Sequence, residues 1–333
     1  MASLNVALIG AGAIGKIHLK GFKRIKDINL VAIASRTEEH AKKFAKKFEI
    51  PHIYVEDGWK DMLNDEYLDA VSICTPNYLH FPMIMKALEK NIHILCEKPV
   101  CISQRELDSV KVKLSKKKLV FFTAFHKRYL SIVSFLKKIL EENSLGKISL
   151  ARYLFAHLGP YITHNALSKE RWFFDSEKAG GGVLLDLGVH AIDLFRYLIG
   201  EFKNIEGFNY NTTCLDMNDE DNCNVLFRFD NNSLGILSVS WCTPPREIIE
   251  IYGTKGSIKI DLVSNTSTYQ IEGLDHNLVM KELITHKTSN IPPHHLLIDH
   301  FIRCIRQKKE GGPSFQDGQK AVEFVLDAYQ FNK

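Results

Sequence analysis

The chain has 333 residues, 45% of them hydrophobic and 25% charged, with a formal net charge of +4. That length allows two domains of ordinary size, and that balance is the one found in soluble globular proteins. No apolar run approaches the ~20 residues a membrane helix needs, and no basic-then-apolar leader opens the chain, so neither a membrane span nor a secretory signal is expected.

Residues 4–9 form an apolar run that stops at Gly10 and predicts a strand. A helix over 14–25 follows, then a strand over 30–34 and a helix over 38–48. Strands over 70–74 and 92–96 flank a helical stretch at 79–90, and 119–123 is one more strand. Strands alternating with helices imply a parallel sheet covered on both faces. After about residue 125 the pattern changes. A helix over 129–142 leads into strand-like segments at 147–157, 203–213, 222–230, 233–241, 246–253 and 256–262. Turn sequences such as Asp230-Asn231-Asn232-Ser233 join them, which suggests a mostly antiparallel sheet. Helices over 294–308 and 316–331 close the chain.

The basic runs Lys42-Lys43, Lys46-Lys47 and Lys116-Lys117-Lys118 lack interleaved aromatics and read as solvated helix faces, not as a nucleic-acid surface. Seven cysteines without a close CxxC pair read as free thiols of a reducing cytoplasm, and their spacing does not suit zinc. No metal is expected.

Gly10-Ala11-Gly12-Ala13-Ile14-Gly15 follows a strand and opens a helix. Glycines there permit a tight turn and a close approach of backbone to pyrophosphate, whose charge meets the helix N-terminus. The second strand ends Ala34-Ser35-Arg36-Thr37, with no carboxylate before Glu38. A serine hydroxyl and a guanidinium suit a 2′-phosphate, which favours NADP over NAD. Arg36 as a plain helix-entry residue is the alternative. Thr75, Pro76 and Asn77, with His80 three residues on, follow the strand over 70–74, where ligands bind in such sheets. Capping by Thr75 and Asn77 is compatible with cofactor contact. Glu97 and Lys98 follow the next strand at the same edge, with Pro99 stiffening the backbone behind them. The Lys98 ammonium could hold a substrate oxygen as charge shifts; a surface charge is the bland reading.

The segment Gly180–Gly200 reads GGGVLLDLGVHAIDLFRYLIG. Leu184, Leu187, Ala191, Leu194 and Leu198 recur at helical spacing and suit burial. Asp186 and His190 are four apart and share a face of the expected helix. A carboxylate and an imidazole on a helix destined for a core need a reason to be there. Catalysis is one reason, a buried structural pair is another, and a two-ligand metal site a third.

Together these residues resemble the Gfo/Idh/MocA family of glucose–fructose oxidoreductase and inositol 2-dehydrogenase. GAGAIG, CTPN with His80, CEKP and AGGGVLLDLGVHAIDL occur here in that family's order and spacing. The resemblance covers nearly the whole chain. It implies an α/β protein: a Rossmann dinucleotide-binding domain with a doubly wound parallel sheet, over 1–125, then an α/β domain with a large, open, mostly antiparallel sheet, over 126–333. It makes Lys98 the lysine bordering cofactor and substrate, His190 the general acid/base, and Asp186 the residue that positions substrate or tunes the histidine. A near-neutral imidazole with a carboxylate partner suits that role. His126 stands where many relatives carry asparagine and faces substrate by resemblance. Arg171 and Trp172 occupy the place of a Trp-Arg pair that approaches the cofactor, in reversed order.

The expected activity is hydride transfer between NADP, or NAD, and a secondary alcohol or ketone of a sugar, cyclitol or sugar derivative. The alternatives are an NAD-dependent glycosidase using transient oxidation and a non-catalytic, cofactor-sensing regulator. Loops around 155–175 and 210–222, with His157, Tyr161, His164 and Asn165, would build a polar pocket for a hydroxylated substrate. A homodimer or homotetramer through the second sheet is the expected assembly.

Overall fold

The computed structural model describes residues 3–159, 171–213, 219–272, 279–285 and 289–331. The chain divides into two compact units: Met1–His126 with Ile291–Lys320, and Lys127–Asn290 with Ala321–Lys333.

The first unit is built on six parallel strands: β1 (Leu4–Ile9), β2 (Ile28–Ser35), β3 (His52–Val55), β4 (Ala70–Ile73), β5 (His93–Cys96) and β6 (Phe121–Thr123). Their spatial order is β3-β2-β1-β4-β5-β6, so the chain reverses direction across the sheet between β1 and β4. Val6, Ala7, Leu8 and Ile9 are all buried, as is every residue of β4. Burial on both faces is why these strands read as unbroken apolar runs rather than alternations. Helices α1 (Ala13–Lys23), α2 (Glu38–Phe48), α3 (Trp59–Asp65), α4 (His80–Glu89) and α5 (Gln104–Leu114) connect them. No strand was expected at β3, whose side chains are mostly exposed at the sheet edge.

The second unit opens with α6 (Ser131–Glu141) and carries eight strands: β7 (Ile148–Ala156), β8 (Phe202–Asn211), β9 (Asn222–Phe229), β10 (Leu234–Ser240), β11 (Arg246–Gly253), β12 (Gly256–Asp261), β13 (Thr266–Glu272) and β14 (Val279–Thr285). Their order is β14-β13-β12-β11-β7-β10-β9-β8, and every pair is antiparallel except β7 with β10. β13 and β14 lie beyond the six strands expected. Along β9, and along β10 as far as Val239, burial alternates residue by residue, the mark of a sheet covered on one face. Phe195, from the helix over the covered face, meets Phe227 and Phe229 edge-on.

A short helix, α7 (Ser176–Ala179), precedes a π-helical turn, Leu184–Gly188, that runs into α8 (Val189–Leu198). This differs from the single regular helix expected: Asp186 sits in the π turn and His190 in the α-helix. Such turns are rare and frequent at functional sites. The apolar stripe is buried as expected, Leu184, Leu187, Ala191, Leu194 and Leu198 included. The chain closes with α9 (Pro293–Gln307), packed on α1, and α10 (Phe315–Gln330). Among the described residues no helix is long and apolar enough to cross a membrane.

Candidate active site

In the first unit the motifs gather because each follows a strand of the same parallel sheet. Gly10 donates its N–H to Ala34 O, Cys74 to Ile9 O, and Glu97 to Ile73 O, at 2.8–2.9 Å. The loops after β1, β2, β4 and β5 are therefore neighbours at one edge, beside the point where strand order reverses. That is where dinucleotides bind in such folds.

The glycines have distinct jobs. Gly10 has φ +106°, and a Cβ there would lie 2.2 Å from Cys74 O. A Cβ on Gly15 would lie 2.1 Å from Gly10 O. Around Gly12 a Cβ would meet nothing within 4 Å. Gly12 is the N-cap of α1, and no side chain caps that helix end. The open space over Gly12 and the uncapped N–H groups of Ala13 and Ile14 fit a pyrophosphate. Ser35 ends β2 almost buried, and Arg36 beyond it is exposed.

Beneath this edge lies a polar cluster that sequence reading did not find. His18, on α1, is fully buried. Its Nδ1 lies 2.8 Å from Ser72 Oγ and its Nε2 lies 3.0 Å from Glu97 Oε1. Burial works against a charged imidazole, but contacts with Cys74 and Glu97 outweigh it and raise His18 to about 10. Burial likewise works against the Glu97 charge, but His18, His294 and Lys98 outweigh it and hold that carboxyl below its usual range. His80 uses both ring nitrogens on backbone carbonyls, Nδ1 on Pro99 O at 2.7 Å and Nε2 on Thr75 O at 2.9 Å. It thus braces the loop of Thr75, Pro76 and Asn77 against the Lys98 turn, whose Lys98–Pro99 peptide is cis. His126 stacks on His294 with centroids 3.7 Å apart.

In the second unit Asp186 Oδ2 accepts the indole N–H of Trp241 at 3.2 Å. His190 is 6% exposed, and its ring lies 6.5 Å from that of Phe155 on β7. Around them Arg128 forms a two-point ion pair with Asp193, one turn along α8 from His190, its Nε 2.9 Å from Oδ2. Lys127 pairs with buried Glu247 at 2.7 Å and sits over the Phe155 ring. Trp241 and Glu247 carry no motif, and although Asp193 lies within the AGGGVLLDLGVHAIDL segment and Lys127 and Arg128 directly follow His126, only the three-dimensional packing reveals these pairings. His157 Nδ1 accepts the Gly159 N–H at 2.7 Å. Trp172 stacks on Phe173 in the turn Arg171–Phe174. Tyr161, His164 and Asn165 lie outside the described residues.

A glycine cradle at the strand ends of a parallel sheet defines the first unit as a Rossmann domain of the dinucleotide-binding class. Residues 4–125 match the sequence model of the oxidoreductase family with an NAD-binding Rossmann fold, and residues 133–259 match the GFO/IDH/MocA C-terminal domain. The chain belongs to the Gfo/Idh/MocA oxidoreductase family. It is 28% identical to glucose-6-phosphate 3-dehydrogenase of Bacillus subtilis, over 98% of this chain and 95% of that one. It is 27% identical to myo-inositol 2-dehydrogenase of Thermotoga maritima, over 79% and 77%. In fold it superposes on levoglucosan dehydrogenase in complex with NADH and levoglucosan, with a TM-score of 0.89, 24% identity, and coverage of 98% of this chain and 96% of the other.

Proposed function

We propose that this enzyme moves a hydride between a nicotinamide dinucleotide and a secondary alcohol or ketone carbon of a sugar, cyclitol or sugar derivative. The observation that carries the reading is Asp186, fixed by an indole N–H, with an imidazole four residues on, in a chain whose other unit has an NAD-binding fold. The relatives' names, which concern inositol and glucose 6-phosphate, support the substrate class.

The dinucleotide, when bound, supplies the hydride donor or acceptor. Gly10, Gly12, Ala13, Ile14 and Gly15 would hold its pyrophosphate, with Thr75, Pro76, Asn77, Glu97 and Lys98 along the same strand ends. His80 would act there through the two loops it braces, and Arg171 and Trp172 would complete the contacts. Ser35 and Arg36 would take a 2′-phosphate, which favours NADP(H) over NAD(H). His190 takes the hydroxyl proton as hydride leaves the substrate carbon, and returns it in the reverse direction. Lys98 polarises the reacting oxygen. Asp186 fixes the register of substrate and imidazole, and His126 and Tyr161 would contact further hydroxyls.

A panel of polyols and keto sugars assayed with both dinucleotides tests this, with reduced nicotinamide followed by absorbance. Net reduction or oxidation with at least one member is the expected result. Glycoside cleavage without net change in the cofactor would replace this reading with the transient-oxidation one.

The second sheet supports a homodimer or homotetramer. Leu154, Leu226 and Leu234 are about two-fifths exposed, and Leu150, Ile236 and Ile248 are half-buried beside them in register. Arg152, Asn224, Arg228, Ser238 and Glu250 alternate with them on that face, and such a mix of apolar and polar side chains suits a symmetric contact. Light scattering at micromolar concentration should report two or four copies, and a monomer would overturn the assignment. Among the described residues six cysteines are free thiols, which fits a cytoplasmic setting.

A further inference from the structure

The start of the helical segment bearing Asp186 and His190 is held by two residues remote in sequence. Glu220 lies just before β9. Its backbone oxygen accepts the Val183 N–H at 2.9 Å, and its Oε1 accepts the Leu184 N–H at 2.9 Å. Tyr329, on α10, donates its hydroxyl to the same Oε1 at 2.8 Å and accepts the Gly182 N–H at 3.2 Å. Three successive N–H groups are thereby matched at a helix start, where such groups lack partners within the helix. Glu220 is 4% exposed and Tyr329 is half-buried.

The glycine triplet is shaped to this contact. A Cβ on Gly181 would lie 2.5 Å from the Tyr329 hydroxyl, and one on Gly182 would lie 2.1 Å from Glu220 O. The next residue extends the hold. Asp221 O accepts the Trp241 N–H at 2.8 Å, and the Trp241 indole holds Asp186. One short stretch, Glu220-Asp221, therefore fixes both the helix start and the side chain that immobilises Asp186.

We propose that Glu220 and Tyr329 are positioning residues that set the placement of Asp186 and His190 for proton transfer. The inference rests on the role given to His190 under Proposed function. A single serine or asparagine would cap a helix; a buried carboxyl shared with a phenol adds a titrating acceptor. Burial, helped by Asp219 and opposed by the Leu184 and Tyr329 hydrogen bonds, lifts Glu220 to about 7. The titratable groups facing it are Tyr329 from α10, Cys223 from β9, and Asp219 beside it, and burial raises the first two as well. A carboxylate is a stronger acceptor than its acid, so the clamp tightens as pH rises through about 7.

The test uses the full-length protein and Tyr329→Phe, Glu220→Gln and Glu220→Ala. Tyr329→Phe removes one hydroxyl and should lower kcat by about 10-fold, with KM and dinucleotide affinity within about 2-fold. Glu220→Gln should recover most of the kcat lost in Glu220→Ala and flatten the activity step near pH 7. The His190 imidazole, followed by NMR in histidine-labelled protein, should titrate at a shifted midpoint in Tyr329→Phe. Folded Tyr329→Phe protein with wild-type kcat and an unmoved His190 titration would overturn the clamp. If the wild type turns over no polyol or keto sugar, the functional reading fails, and the His190 titration alone decides: a shifted midpoint sustains the clamp, an unmoved one sinks it.

Discussion

The two units hold their functional groups in different ways. In the first, Gly10, Thr75 and Lys98 each follow a strand of one parallel sheet, so the topology alone brings them to one edge. In the second, Asp186 and His190 sit close in sequence, but the contacts that hold Asp186 and the start of the helical segment come from far away: Trp241, Glu220 and Tyr329. Binding can be assembled by repeating a strand–loop pattern. The proton transfer proposed for His190 needs side chains held at the right place and angle, and the contacts around Asp186 come from long-range packing.

The sharpest way to break this division is to remove the imidazole. His190→Ala should cut turnover by ~10²–10⁴-fold, the range for a lost acid/base group. Dinucleotide affinity should survive, because Gly10–Gly15 belong to the other unit. Lys98→Ala should instead lower turnover and weaken dinucleotide binding together. Steady-state kinetics beside equilibrium binding reads both. Folded His190→Ala protein with near-normal turnover would remove the proposed role and leave Asp186 and His190 as a structural pair.

A smaller effect sharpens the account of the first unit. Arg36→Ala should weaken NADP(H) binding by ~1–3 kcal/mol, the worth of a charge-assisted contact, and leave NAD(H) binding almost unchanged. Calorimetry on the wild type gives the decisive comparison. Tighter binding of NAD(H) than of NADP(H) would show that Ser35 and Arg36 do not clamp a 2′-phosphate.

The same contrast explains what could be read from the sequence. The strand–glycine–helix start, the parallel sheet and the Asp186–His190 spacing are local signals, written in composition and period. β3 and β13 escaped because their residues are polar or exposed and lack an apolar rhythm. α5 was missed despite a signal: Ser103 caps the Glu106 N–H, and Glu106 reaches back to the Ile102 N–H. The packing of α9 against α1 and the His18–Glu97 pair span 79 residues or more, and no local pattern announces them. The π turn is likewise invisible in a stripe of leucines that suits a regular helix equally well.

The mildest test concerns that buried pair and asks whether the first unit also depends on a long-range contact. His18 titrates at about 10 in the folded protein, above the ordinary 6.5. A group raised on folding contributes stability that is fully present below its unfolded value and lost as pH climbs through its folded one. Glu97 is lowered, so its contribution is lost only when pH falls through its folded value. Stability from the pair should therefore hold near pH 6 and decline between 6.5 and about 10. His18→Gln keeps a polar side chain beside Ser72 and Glu97 but cannot carry the charge. Its melting temperature should start lower and fall less steeply over that range, by ~2–4 °C less for each kcal/mol of pair stability lost. Parallel melting curves for the two proteins from pH 6 to 10 would show that His18 is neutral and that the pair is only a hydrogen bond. Divergence would show that the first unit, too, draws stability at its strand ends from a contact remote in sequence.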